Sequence, residues 1–444
     1  MSRELLYGWG LTAPGNCELR TVYDEAQVLD QLSKTTHTIA RGLGRSYGDP
    51  AQVSGGVVLN NRGLCEIGRI SDEGVVTVGA GASIDELLQL SIPLGWFVPV
   101  TAGTRQITIG GAIAADVHGK NHHVDGSFAN HVLSMRLVTP TGAHTISPNS
   151  QPELFWGTVG AMGLTGVITE ATIQMTPITT DSVLVDTDRY SNLEGVMTAM
   201  FEGDANYRYS VAWVDCMTKG KNMGRAILTR GDHAGVDQVT KPTLVGPQPP
   251  KISVPFMPPS GLLNRASVRL FNEAWFRVAP QHREKEVQSL STFFHPLDGV
   301  SNWNRMYGKR GFLQYQFAVS DAHSETVVNA IKRLSESGVA SFLAVLKRFG
   351  AGNASPLSFP IPGWTLALDL PIGSPRLPGI LDELDDMVVA AGGRLYFAKD
   401  SRLSPEKAQV MYPRLGEFRT LKNRIDPEHK LTSDLARRLR LVGE

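Results

Sequence analysis

The chain is poor in the features that would classify it at a glance. Its three cysteines, Cys17, Cys65 and Cys216, are scattered and odd in number. That argues against a disulfide framework and fits free thiols in a reducing compartment. Lysine plus arginine equals aspartate plus glutamate at 43 each, so no global basic surface for nucleic acid is expected. No stretch approaches the roughly 18 consecutive apolar residues that span a bilayer, and membrane contact is therefore expected to be peripheral. The opening MSRELLYGWG lacks the apolar centre of a cleaved leader. A cytoplasmic location, or a peripheral one at the inner membrane, is the resulting expectation. The Walker phosphate-binding pattern is missing too.

What is abundant is glycine, 45 residues, many of them among the first 170. A chain of 444 residues exceeds one simple core and predicts two domains, or one interrupted by another. Apolar spacing predicts helices at 22–34 and around SIDELLQLSIPLG, with short β-like runs between them at HTIARG, VVLN, GVVTVGAG, SMRLVTP and GVITEATIQMT. From about residue 181 the glycine density falls. RYSVAWVDC, GRAILTRG, GFLQYQFAVS, SFLAVLKRF and WTLALDLPI read as strands of an antiparallel sheet. Seven prolines between 242 and 259 exclude a central strand or helix there. The segment at about 241–260 is either a plain linker or a lid over a substrate. The last 65 residues return to helix, through ILDELDDMVVAAGG and SPEKAQVMYPRLGEFRTLKNRI to a final helix beginning near Ser433.

Three small-residue segments carry the first chemical signal. In RGLGRSYGD, residues 41–49, three glycines within seven positions allow backbone N–H groups to turn inward as an anion-binding nest. Tyr47 stands where a dinucleotide fingerprint needs its third glycine, which disfavours a Rossmann NAD site. In TAGTRQITIGGAIAADVHGKNHH, residues 101–123, Gly110, Gly111, Ala112, Ala114 and Ala115 leave room for a flat ring or a diphosphate. GAMGLTGVI, residues 160–168, repeats that logic. His118, His122 and His123 raise a metal site, but no carboxylate or cysteine pair accompanies them and Gly119 and Asn121 oppose a helix that would align them. No metal is expected.

The order RGLGRSYGD, GGAIAADVHGKNHH, ELFWGTVGAMGLTGVI resembles the vanillyl-alcohol-oxidase-like, PCMH-type family of FAD-binding flavoproteins. Within it the likeness is to the decaprenylphosphoryl-β-D-ribose 2′-oxidase family of mycobacterial arabinan synthesis. It runs nearly end to end, through GWG, HPLD, NRMYGKRGFLQYQF, LSFPIPGW, LYFAKDSR, MYPR and SDLARRL. The resemblance implies an α+β fold. A two-part FAD-binding domain, 1–180 and 394–444, would be interrupted by a substrate domain, 181–393, built on the antiparallel sheet. It further implies oxidation at C2′ of a polyprenyl-phosphoryl ribofuranose and a short-chain dehydrogenase/reductase partner that completes epimerisation to the arabinose.

By the same resemblance FAD lies along Ala40, Arg41, Gly42, Leu43, Gly44, Arg45, Ser46, Tyr47, Gly48, Asp49 and Pro50. Further contacts carry over to Gly103, Thr108, Ile109, Gly110, Gly111, Ala115, Asp116, Val117, His118, Ile168 and Tyr396. His118 is expected beside the isoalloxazine, with FAD bound noncovalently. Lys399 is the implied catalytic residue, with His118 beside it. Trp9, Lys120, Trp213, Gln314, Gln316, Lys347, Phe349, Thr365 and Ala367 complete the substrate pocket. Mycobacterial members carry cysteine at the position of Ala367, asparagine at Thr365 and tyrosine at Phe294. Inhibitors that target that thiol should therefore find no adduct site here.

Lys399 leaves two chemical roles open. An amine that acts as base near pH 7 must fall by about 3 pH units from its ordinary pKa, roughly 4 kcal/mol. Burial against a flavin would lower it, and Asp400 would oppose that if close. Alternatively the amine stays charged and stabilises a developing alkoxide. Gln314 and Gln316 alternate with Tyr315 and Phe317 on an apparent strand, so the two amides share one face. That face either meets sugar hydroxyls or is a solvent stripe. A soluble aldonolactone or alditol oxidase, and a noncatalytic flavin- or carbohydrate-binding protein, are the competing readings.

Overall fold

Helix starts follow their caps more closely than their apolar spacing. The first helix is predicted from residue 22 but runs Glu25–Lys34, because the Asp24 side chain accepts the Gln27 backbone N–H and fixes the start there. Val22 remains in extended chain and donates to the Asn60 carbonyl. At the other end of the chain, the segment 404–425 splits at Tyr412-Pro413 into helices Pro405–Met411 and Leu415–Ile425, since proline cannot continue the ladder. The structure, a computed structural model, describes residues 3–442 except 251, 260, 262, 340 and 342. The proline-rich segment therefore includes two positions, Lys251 and Ser260, outside the described residues, and the expected domain limits 1 and 444 lie outside them as well.

The first 180 residues supply two four-stranded sheets. One contains Glu4–Leu6, Gly15–Thr21, Thr38–Arg41 and Val57–Asn60, the last strand pairing parallel with the second and third. The other is antiparallel and contains Val75–Gly79, Val132–Thr139, Gly142–Ile146 and Val167–Gln174. An eight-stranded antiparallel sheet follows. Its spatial order is His282–Ser289, Ser182–Tyr190, Ala226–His233, Tyr209–Val214, Ala344–Phe349, Gly363–Pro371, Phe312–Val319, Arg394–Leu395. Five of these strands are the alternating segments read from the sequence. The other three carry weaker signals: aspartates dilute Ser182–Tyr190, HREKEVQS is almost wholly polar, and Arg394–Leu395 has two residues.

The large sheet has one covered face and one that looks into the molecule. Helix Leu377–Ala390 packs on the strand Phe312–Val319. On that side Tyr315 is buried and its hydroxyl donates to Asp385 of the helix at 3.0 Å. Gln314 and Gln316 therefore point to the opposite face. A single apolar cluster runs through both parts of the chain, from Val58 and Ile113 to Leu366 and Phe418. The sheet's last strand, Arg394–Leu395, pairs with Phe317 and Ala318, so the expected boundary at 394 falls inside the sheet.

One ion cluster ties the two parts at their most sensitive point. Arg438, near the C-terminus, donates to both carboxylate oxygens of Asp49 at 2.8 and 3.0 Å and to Asp400 at 2.9 Å. Asp49 and Asp400 are each only 4% exposed. Beside them Tyr47 N–H donates to the Ala398 carbonyl at 2.9 Å, and a Cβ on Gly48 would stand 2.0 Å from the Asp400 carbonyl oxygen. Arg438→Ala leaves the buried carboxylates of Asp49 and Asp400 without their cation and should lower stability by about 3–5 kcal/mol. Urea unfolding followed by fluorescence checks this, and a loss below about 1 kcal/mol would contradict the clamp.

Candidate active site

The glycine segments and the inward face of the large sheet enclose one cavity of about 1180 Å³. That is above the roughly 300–1,000 Å³ of ordinary small-ligand sites, and leaves room for a large cofactor and a substrate together. One wall is the turn after strand Thr38–Arg41. Gly44 has φ +63°, and Gly42 passes so close to Thr108 that a Cβ would lie 2.2 Å from its hydroxyl. Among the described residues, no protein group accepts the backbone N–H of Leu43, Gly44, Arg45 or Ser46. Four successive uncommitted donors on a cavity wall fit a bound diphosphate. Arg41 holds the turn from behind through the Ala51 and Tyr7 carbonyls at 3.0 and 2.7 Å. The Arg45 guanidinium lies 3.9 Å over the Trp9 ring and donates to the Gln106 carbonyl. Further along, Thr108 caps the short helix Ile109–Ala114, and Gly110 lies against Ala80.

The opposite wall is polar. Lys347 donates to His118 Nδ1 at 3.0 Å, and the Gln316 side-chain amide meets His118 Nε2 at 3.0 Å. Burial, reinforced by Lys347, holds His118 well below the usual imidazole range, so the ring is neutral. Thr365 hydroxyl completes the line 3.1 Å from the Gln316 amide. Burial also depresses Lys120 and Lys347, each to about 7. Both are partly accessible and line the cavity. Lys120 is anchored by the Phe293 carbonyl at 2.5 Å and sits 4.1 Å over the Phe293 ring.

Lys399 projects into the cavity from the other end of the same wall, its Nζ 3.9 Å over the Tyr47 ring. Burial pushes its amine down and the carboxylate of Asp369 pulls it back up. Asp369 is itself pushed up by burial, and it accepts hydrogen bonds from Gln314 and Tyr307. The acid opposing Lys399 is thus Asp369. Asp400, the neighbour suspected from sequence, is committed to Arg438. Asp369 is not among the site residues expected from sequence, although Thr365, Ala367 and Asp369 alternate on one strand. His295 and Asp298 of HPLD also act here: Thr101 hydroxyl meets His295 Nε2 at 2.8 Å, and Asp298 accepts from Thr104 and the Arg105 N–H.

The cavity wall includes most of the expected cofactor positions: Ala40 through Tyr47, Pro50, Gly103, Thr108, Gly110, Gly111, Ala115, Val117, His118, Ile168 and Tyr396. It also includes Trp9, Lys120, Trp213, Gln314, Gln316, Lys347, Ala367 and Lys399. Six expected residues stand behind it. Gly48 and Asp49 serve the Arg438 clamp. Ile109 is buried core of its helix. Asp116, at φ +45°, accepts from Asn353 and Ser358. Phe349 packs against His118 and His122 with ring centroids 4.7 and 4.5 Å away, and Thr365 acts through Gln316. The three histidines separate: His122 Nδ1 accepts the Gly350 N–H and His123 Nε2 donates to the Tyr207 carbonyl. Ala367 puts no thiol on this wall. Cys17 and Cys216 are buried elsewhere and Cys65 is exposed.

A model of the family described as FAD binding domain matches residues 18–146, which hold the glycine cradle. The solved structure of 6-hydroxy-D-nicotine oxidase from Arthrobacter nicotinovorans superposes with a TM-score of 0.65, covering 97% of this chain and 96% of that one at 17% identity. That likeness establishes the shared fold. Fold and cradle together define an FAD-dependent oxidoreductase. A protein named decaprenylphosphoryl-beta-D-ribose oxidase, from Mycolicibacterium smegmatis, is 44% identical over 98% of this chain and 97% of its own length, and the chain belongs to that oxidase family. An uncharacterized protein from the mprA 5′ region of Streptomyces coelicolor is 38% identical over 81% of this chain and 100% of its own.

Two substitutions test the wall. Lys399→Ala should abolish turnover, by more than about 10²-fold, while the protein keeps its flavin absorbance. Asp369→Asn removes the charge that raises the Lys399 pKa, so the limb of the kcat/KM profile belonging to that amine should move to lower pH. A rate that rises with pH through that limb marks a base, and one that falls marks a cation. A limb that does not move contradicts the Asp369 assignment.

Proposed function

We propose that the protein oxidises the 2′-hydroxyl of a polyprenyl-phosphoryl-β-D-ribofuranose to the 2′-keto sugar, the first half of an epimerisation to the arabinose. The observation that carries this reading is the polar wall itself: Lys399 with Asp369, Gln314 and Gln316, and Lys347 with His118 face the diphosphate-sized cradle across one cavity. When bound, FAD supplies the acceptor for the hydride that leaves C2′. The residues that would hold it are the turn Gly42–Ser46 and the small-residue stretch Gly110–Ala115, with Tyr396 and His118 on the cavity wall beyond. Each His118 nitrogen already has a partner, in Lys347 and Gln316, which supports noncovalent FAD.

The chain's own residues do the rest. Lys399 either removes the hydroxyl proton or holds the charge that develops on that oxygen. Gln314, whose amide is aligned by Asp369, supplies hydrogen bonds that orient the sugar ring. Lys120 and Lys347 place two buried amines where a phosphate would neutralise them, and their depressed pKa values mean that such an anion would also restore their charge. The keto product requires a reductase partner, for which a short-chain dehydrogenase/reductase is the expected class. No helix among the described residues is long and apolar enough to cross a membrane, and a prenyl-linked substrate calls for peripheral membrane contact.

Anaerobic mixing of the FAD-loaded enzyme with prenyl-phosphoryl ribose should bleach the flavin, whereas free ribose, alditols and aldonolactones should not. Bleaching by free sugars at matched concentration would assign the site to an aldonolactone or alditol oxidase. No bleaching by any of them would end the enzymatic reading. Acid precipitation should leave all of the flavin in the supernatant, and flavin that stays with the pellet contradicts noncovalent binding.

A further inference from the structure

The helix Arg265–Val278 has the wrong amphipathicity for a helix that serves only the interior. Of its fourteen residues only Val268 and Asn272 are buried. Its apolar stripe faces outward: Leu270 is 73%, Trp275 51% and Val278 83% exposed. These positions, with Phe271 and Ala274, recur at helical spacing along one side. The Phe271 and Trp275 rings stack with centroids 6.0 Å apart and planes at 10°, making a flat aromatic surface.

The proline-rich segment lines the same cavity at Pro250 and exposes apolar side chains of its own. Ile252 and Phe256 are 64% and 71% exposed. Arg305 holds this segment by donating to the Val254 and Pro255 carbonyls at 3.2 and 3.1 Å. Its position is therefore fixed while its apolar side chains remain outside. Soluble monomers rarely leave so many large apolar groups together in water. The helix also carries Arg265, Arg269 and Arg277 against one acid, Glu273, the composition of an interfacial helix that meets anionic headgroups.

We propose that this face, helix Arg265–Val278 with the exposed side chains at 252–257, docks the protein on an anionic lipid bilayer and turns the mouth of the cavity toward it. The proposal rests on the prenyl-linked substrate assigned above. Continuity distinguishes this occupant from a second protein chain. Phe271, Trp275 and Val278 belong both to the exposed stripe and to the cavity lining, together with Pro250. A prenyl chain can thus pass from the bilayer along an unbroken apolar surface while its phosphate and sugar reach Lys120, Lys347 and Lys399. A protein partner would need no such continuity.

The experiment is co-sedimentation of the full-length, FAD-loaded protein with vesicles of phosphatidylcholine containing phosphatidylglycerol. The wild type should sediment with these vesicles, less with phosphatidylcholine alone, and less at high salt. The double variant Leu270→Ser, Phe256→Ser changes no residue that lines the cavity and should weaken vesicle binding on the order of tenfold or more. It should turn over a short-prenyl, water-soluble substrate at the wild-type rate, which shows that it is folded, and should lose turnover of a long-prenyl substrate embedded in vesicles. Equal vesicle binding by wild type and variant, or none by the wild type, overturns the proposal. So does a wild-type dimer in solution that the double variant dissolves, since that assigns the face to a second copy. Vesicle binding is read without substrate, so the docking face and the assigned reaction fail separately.

Discussion

Arg438 is the interaction on which the geometry of the active site depends. Its guanidinium holds Asp49, one residue beyond the glycine turn, and Asp400, one residue beyond Lys399. The cofactor cradle and the Lys399 amine come from chain segments some 350 residues apart in sequence, and they meet where one partly exposed cation binds the neighbour of each. Such a cluster costs desolvation and is seldom a strong net source of stability. What it provides here is registration. The Tyr47 N–H to Ala398 carbonyl bond and the close seat of Gly48 on the Asp400 carbonyl act in the same direction, and the Tyr47 ring ends beneath the Lys399 amine.

Within that frame three depressed lysine amines face the cavity, and Asp369 is the acid that answers one of them. Lys120, Lys347 and Lys399 all face it, and burial depresses each of them. Asp369 alone counters Lys399, and burial raises its own carboxyl. An anion bound at Lys120 and Lys347 would restore their charge, and Asp369 already supports that of Lys399. Burial therefore sets the charge state of all three amines. The neutral His118 stands between Lys347 and Gln316.

The sequence carries this architecture unevenly. The glycine turn, the small-residue helix and the Gln314/Gln316 face are legible because each depends on local residue type or on period-2 alternation. Asp369 also lies on that alternation, two residues past Ala367, but an acid on a buried strand reads as an edge residue until its partner is seen. Asp49 and Asp116 enter the expected cofactor site through the family resemblance alone. Their side-chain partners, Arg438 and the pair Asn353 and Ser358, are hundreds of residues away, and no local pattern encodes that. The strand His282–Ser289 is invisible for the opposite reason, since an exposed edge strand has no apolar face to announce it.

The central claim is that this wall removes the hydrogen at C2′ of a prenyl-phosphoryl ribose. Rapid anaerobic mixing with substrate deuterated at C2′ tests it most directly, through the rate of flavin bleaching. The account predicts that bleaching slows with deuterium at C2′ and is unchanged with deuterium at C3′. Bleaching that ignores C2′ deuterium and slows with C3′ deuterium would contradict it.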